Sequence, residues 1–230
     1  MILSGLLILS LGSPEPMAAN PENPSRRVIA KERRRHELIN ATIKCISKRG
    51  LGSLTLADVA SEAGLSQGIV NLHFKSKENL LAETLRHIAE EYDEQFMQTL
   101  AKPPDEPAVK LMALVEMDLK PSICDRRKLA VWFAFWGEVK AVPTYQKICA
   151  ERETKYDEII LALATAVVEG GGYDNVNPQS VADTLSALTD GMWLSCLVNP
   201  RRFDRRSSLR AVKNYLAAIF PDHYDKVSTL

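Results

Sequence analysis

The chain has 230 residues, 46% of them hydrophobic and 25% charged, which is ordinary globular usage and excludes the fibrous and intrinsically disordered classes. Its 29 Lys and Arg balance 29 Asp and Glu, yet residues 26–80 carry +6 and residues 81–230 carry −4: a small basic module precedes a larger acidic one. Cys45, Cys124, Cys149 and Cys196 form no C-x-x-C pair, and His36, His73, His87 and His223 are scattered. That spacing argues against a disulfide framework, a zinc site or metal catalysis, requires no cofactor, and fits a reducing cytoplasm.

Residues 1–25 are expected to form a disordered lead-in. The apolar run Ile2–Leu11 is about half of what spans a bilayer and lacks a basic flank, so no membrane association is predicted. The stretch that follows is rich in Pro, Asn and Ser, and Met17 is a candidate start. From there the periodicity predicts helices throughout. Leu38, Ile39, Ile43 and Ile46 recur at spacings of three and four within a first helix over about 29–49, stopped by Gly50. Thr55 and Asp58 form a capping box for a second helix, stopped by Gly64. Ser66 is placed to cap a third over 67–72, and Ser76 a fourth running from Lys77 toward Leu100, where Pro103, Pro104 and Pro107 break it. Five more are predicted over about 108–120, 127–140, 143–169, 178–198 and 205–219, punctuated by Pro121, Pro143, Gly170–Gly172, Pro178, Pro200 and Pro221. The expected fold is all-α, with about nine helices. Its first unit, residues 26–80, is a three-helix helix-turn-helix domain; its second, residues 81–230, is a helical ligand-binding and dimerisation domain.

Residues 55–74, TLADVASEAGLSQGIVNLHF, carry the function. Ala60 allows two helices to approach, Gly64 suits a left-handed turn, and Leu65 and Val70 supply a shared core, so a short second helix can project into a major groove about 12 Å wide. Gly68 lies inside that helix, where glycine costs about 1 kcal/mol relative to alanine, as if backbone must approach DNA closely. Lys77 opens the next helix, where a bound phosphate would offset its unfavourable position on the helix dipole. Lys31 and Arg33–Arg35 precede the motif and provide sequence-independent phosphate attraction.

The run D-V-A-x-x-A-G-L-S-x-G-I-V-x-x-H-F-K-S-K-E-x-L-L, Asp58 to Leu81, resembles the N-terminal domain of the tetracycline-repressor (TetR) family. The resemblance covers about residues 30–220 and is most specific in the first 80. It implies a homodimeric repressor on a palindromic double-stranded operator, with a connecting fourth helix, a ligand-binding core and an interface made by the last two helices. Carried over by position, Thr55 and Lys77 hold phosphates, while Gln67, Gly68, Asn71 and His73 face DNA. With Arg34 and Ser66 these are the candidate DNA contacts. The aromatic usual at the family's Y-x-x-F position is Asn71 here, followed by His73 and Phe74.

Within the family, W-x-A-F-W (Trp132, Ala134, Phe135, Trp136) and D-G-x-W-L (Asp190, Gly191, Trp193, Leu194) are similar to a choline-responsive branch that controls glycine betaine synthesis. Trp132, Phe135 and Trp136 are spaced to share one helical face, and aromatic rings with a nearby carboxylate suit a quaternary ammonium. The candidate ligand residues are Trp132, Phe135, Trp136, Asp190 and Trp193, with Glu116 or Glu138 as alternative carboxylates. The bland alternative is that these rings only pack the core. A nucleobase, drug or lipid sensor of the same fold would look much the same. Filling this core pocket is expected to tilt the fourth helix and spread the recognition helices.

Two other classes compete. Gly64–Gly68 matches the G-x-S-x-G nucleophile elbow, but that chemistry needs a strand before the serine, and a capped helix precedes it here; no enzyme is predicted. A helical protein-binding adaptor would use Leu185, Leu188, Trp193 and Leu197, interleaved with Ser186 and Ala187, which read instead as a homodimer four-helix face. Arg201, Arg202, Arg205 and Arg206 read as a solvated helix start.

Overall fold

A computed structural model describes residues 26–224; the lead-in expected over residues 1–25 lies outside them. Nine helices and no strand occur among the described residues: α1 Arg26–Arg49, α2 Leu56–Ala63, α3 Gln67–Phe74, α4 Lys77–Leu100, α5 Pro107–Asp118, α6 Arg126–Glu138, α7 Pro143–Gly171, α8 Pro178–Val198 and α9 Arg205–Ile219. The all-α expectation holds, and most predicted ends fall within a few residues of the observed ones. α3 is longer than predicted because Phe74, buried in the core, extends it by two residues.

The chain divides into two units, one ending at His36 and one beginning at Glu37. Among its described residues the first is the arginine-rich opening of α1, mostly exposed. The second contains everything else. Its core begins with Leu38, Ile39, Ile43 and Ile46 on the predicted stripe of α1, all buried. Leu54, Val59, Ala60, Val70 and Phe74 close over them.

α2 opens on the predicted capping box: the Thr55 hydroxyl accepts from the Asp58 amide at 3.1 Å, and the Thr55 amide donates to the Asp58 carboxylate at 3.0 Å. Arg49 also donates to Asp58, and these hydrogen bonds, those from Thr55 first, hold that carboxyl below its usual range. Thr55→Ala should cost about 1 kcal/mol, which lowers the melting temperature of a chain this size by roughly 2 to 4 °C in thermal denaturation. Gly64 adopts φ +66° at the end of α2, the left-handed conformation that turns the chain toward α3. Ser66 departs from expectation. It occupies the N-cap position of α3, but its hydroxyl makes no capping hydrogen bond.

Beyond α3, the long α7 packs against α8, α5 and α4, and α4 against α5. Two ion pairs tie α4 to the later helices, Lys128 to Glu91 at 2.5 Å and Lys155 to Asp93 at 2.8 Å. Leu185 and Trp193, expected on a dimer face, are buried inside their own chain at 0% and 2% exposure. Leu194 and Val198, four residues apart, are the large apolar side chains that α8 exposes. Arg205 is not simply solvated: its Nε donates to the carbonyl of Leu119, so α9 starts pinned to the end of α5. All four cysteines are free and buried. No helix among the described residues is long and apolar enough to cross a membrane.

Candidate functional site

The residues expected to face DNA lie on α2, α3 and the first turn of α4, with Arg34 on α1. Val70 and Phe74 anchor α3 to the core, which turns Ser66, Gln67, Gly68, Asn71 and Leu72 outward as exposed residues. His73 and Lys77 are half-buried at the margin, and Thr55 is exposed at the start of α2. Arg34, in the first unit, is half-buried on α1. A Cβ added at Gly68 would meet only the Ser66 hydroxyl, at 3.8 Å. Among the described residues nothing demands glycine at this position.

Two neighbours escaped sequence reading. Leu72 is 75% exposed on α3, an apolar side chain where polar ones were sought. Lys75 sits at φ +64° in a three-residue turn closed by the Ser76 amide on the Phe74 carbonyl at 2.7 Å, a strained conformation for a residue with a Cβ. It joins α3 to α4, whose first turn is capped by the Ser76 hydroxyl accepting from the Asn79 amide at 3.1 Å. The strand-to-helix turn of a hydrolase elbow is absent here: α2 precedes Ser66. Among the described residues no cluster of His, Cys, Asp or Glu could hold a metal.

The second site lies in the core, where five helices converge. Tyr92 comes from α4, Asp118 from the end of α5, Trp132 from α6, Arg152, Glu153 and Tyr156 from α7, and Thr189, Asp190 and Trp193 from α8. The Arg152 guanidinium carbon lies 4.5 Å from the Tyr92 ring centre, 5.0 Å from that of Trp132 and 5.8 Å from that of Trp193. Tyr92 and Trp193 meet edge to face at 6.0 Å. The three rings thus form a box around a cation, each contact favourable by about 0.5 to 2 kcal/mol when water is excluded.

Carboxylates complete the box. The hydroxyls of Tyr92 and Tyr156 both donate to Asp118, at 2.7 and 3.1 Å, and the Trp193 indole N–H donates to the Asp118 carbonyl at 2.9 Å. Burial pushes the Asp118 carboxyl up to about 7 against the opposing pull of Tyr92, Arg152 and Tyr156. Burial likewise raises Asp190 and Glu153, and Arg152 pulls both down. For Arg152 burial works against the charge, but Tyr92, Glu153, Asp118 and Asp190 outweigh it and hold the guanidinium protonated above its ordinary range. Arg152 bonds Glu153 at 3.1 Å, and its buried Nε finds no acceptor among the described residues. The space left among these groups is about 10 Å³.

The predicted ligand residues divide accordingly. Trp132, Asp190 and Trp193 belong to the box. Trp136 lies behind it, 6.2 Å from Trp132 and edge-on to Phe133 at 5.0 Å. Phe135 does not join its helical neighbours: its ring is fully buried edge-on against Tyr145 at 4.8 Å. Glu116 and Glu138 are exposed on the surface and not in the box. Arg152 and Tyr156 lie four apart on α7, Tyr92 on α4 and Asp118 on α5; all four were missed, because no spacing along the chain relates the residues of one helix to those of another. The only available signal was the presence of polar residues on otherwise apolar helical faces.

This arrangement, a helix-turn-helix joined to a helical core that holds a cluster of polar residues, is that of a transcriptional regulator. Residues 38–84 match the family described as bacterial regulatory proteins, tetR family, and residues 107–221, half of the chain, match the BetI-type transcriptional repressor C-terminal domain. The chain belongs to the TetR family of transcriptional regulators and carries a BetI-type C-terminal domain. It is similar to the HTH-type transcriptional regulator BetI of Burkholderia thailandensis, with 29% identity over 81% of this chain and 93% of that one. A transcriptional regulator from Pseudomonas aeruginosa PAO1 superposes with a TM-score of 0.74 at 25% identity, covering 84% of this chain and 93% of that one. Another, from Saccharomonospora viridis in complex with choline, superposes at 0.72 and shares the fold at 22% identity, covering 80% and 96%.

Proposed function

We propose that this regulator acts in the cytoplasm as a homodimeric repressor of choline-to-glycine-betaine genes, released from a palindromic operator by choline or a related quaternary ammonium. One observation carries the effector half: an aromatic box of Tyr92, Trp132 and Trp193, backed by Asp118 and Asp190, already built around a single positive charge. A trimethylammonium group needs the same surroundings, π faces and a carboxylate at modest distance. The S. viridis neighbour solved with choline and the BetI-type match support the choice.

In the operator complex α3 lies in the major groove. Gln67 and Asn71 read base edges, Leu72 contacts thymine methyl groups, and Gly68 and Ser66 allow close approach of the backbone; His73 borders this surface. Thr55, Lys77 and Arg34 hold phosphates. Two copies meet through α8 and α9, with Leu194 and Val198 in the contact, and their recognition helices stand about 34 to 36 Å apart. Coupling runs along α4. It presents Tyr92 to the box and Lys77 to DNA, fifteen residues or about 22 Å apart at 1.5 Å per residue. A ligand that favours one orientation of this helix shifts the population that fits the operator.

The test is fluorescence polarisation on the protein's upstream DNA at fixed salt, with and without choline. Release by choline supports the reading; specific binding indifferent to choline keeps the repressor and removes this effector. Trp132→Ala should abolish the choline response while operator binding persists.

A further inference from the structure

The box that suits a cation is closed around one that belongs to the chain. Ligand sites for small molecules commonly enclose roughly 300 to 1,000 Å³, whereas the space among Tyr92, Asp118, Asp190 and Trp193 is about 10 Å³, because the Arg152 guanidinium occupies the centre. Arg152 is also the one residue, among those described, that lines both this cavity and an open groove of about 340 Å³ between α4 and α7. Glu90, Asp93 and Glu151 line that groove together with Arg86 and Lys155, the latter paired to Asp93, so a displaced guanidinium would find its carboxylates at Glu90 and Glu151. Its Nε has no acceptor inside the box, which leaves the buried position incompletely satisfied, and a long unbranched arm can change rotamer while α7 stays in place.

The geometry points to Arg152 as a built-in competitor of the effector: a monovalent organic cation enters the box by exchange, and the guanidinium swings out into the α4–α7 groove. This inference rests on the quaternary ammonium reading of the same box. Charge decides what can be exchanged. Asp118, Asp190 and Glu153 surround one positive charge, and a second cation of equal charge keeps that balance. A neutral ligand of the same shape would leave the buried Asp118, beside the partly exposed Asp190 and Glu153, without a counter-charge, and an anion would add to them; both are costly where Asp118 is buried. Arg152 therefore sets both the threshold of the response and its selectivity for cations.

The experiment titrates tetramethylammonium, choline and the neutral choline isostere 3,3-dimethylbutanol into the full-length protein and its Arg152→Ala and Arg152→Gln variants. Binding is read by calorimetry and tryptophan fluorescence at pH 8, with folding checked by circular dichroism. The apparent affinity of wild type is reduced by the fraction of molecules whose box is closed, so the variants should bind tetramethylammonium roughly tenfold or more tightly, and dimethylbutanol should bind none of the three. If Arg152→Ala is poorly folded, methylguanidinium should refill the box and raise its melting temperature more than that of wild type; no rescue would overturn the proposal. Tetramethylammonium binding by wild type that is unchanged or weaker in both folded variants would also overturn it, leaving the aromatic box as the effector site with Arg152 as a contact. Failure of all three proteins to bind any cation would remove the quaternary ammonium reading, and this inference with it.

Discussion

Asp118→Ala should lower the free energy of unfolding at pH 7 by about 3 to 5 kcal/mol, the cost of breaking a buried polar pair. The substitution strips the hydroxyls of Tyr92 and Tyr156 of their common acceptor and leaves Arg152 with less negative charge around it. Denaturant titration gives the number directly. Asp118→Asn keeps the shape and one acceptor, so it should cost less, and it isolates the effect of charge. The folded carboxyl sits at about 7, above its ordinary value of 3.8, so between those values the native state binds more protons than the unfolded one. This group's contribution is full below about 4 and declines as pH rises to about 7. In wild type it should remove roughly 2 to 3 kcal/mol between pH 5 and 7.5, a slope that Asp118→Asn should lack. Equal pH slopes in the two proteins would mean that Asp118 is ionised throughout.

Asn71→Ala should weaken specific operator binding by about 1 to 3 kcal/mol, a 5- to 150-fold loss, with little change on unrelated DNA. Asn71 is exposed on α3, one turn from the buried Phe74 that fixes the helix, so the loss would come from the base contact and not from folding. Lys77→Ala should behave differently. Because phosphate contacts carry no sequence information, it should weaken binding to all sequences alike and reduce the slope of log affinity against log salt by about 1. Polarisation titrations at several salt concentrations, on operator and scrambled DNA, separate the two. A Lys77→Ala loss confined to the operator would assign that residue to base reading.

The helix-turn-helix was legible in the chain because each signal for it is local. The Thr55–Asp58 box, the Gly64 turn and the apolar spacing of α1 act within a few residues of one another, and the structure repeats them. Ser66 shows the limit of local reading: a serine at an N-cap position has the option of capping, and here its hydroxyl does not take it. Leu72 was passed over because an exposed leucine on a short helix has no sequence signature distinct from a core leucine.

The core site was legible only by halves. Trp132 and Trp193 were marked as rings near a carboxylate, and both reached the box. Asp190 reached it with them, but their partners on α4, α5 and α7 could not be found by spacing. Phe135 and Trp132 are three residues apart on one helix, yet one ring meets Tyr145 and the other meets Arg152, because side-chain direction follows the neighbouring helices as well as the helical period.

The sequence by itself determined the all-α class and the nine helices of the described residues, since caps and periodicity act over short stretches of chain. Only the tertiary structure decided that Asp118, Arg152, Tyr92 and Trp193, spread over more than a hundred residues, share one closed space. That outcome depends on how α4, α5, α7 and α8 pack. Packing converts single polar residues on apolar faces, indistinguishable one by one, into a cation box whose buried members, Asp118 and Arg152, are perturbed because water is excluded from both.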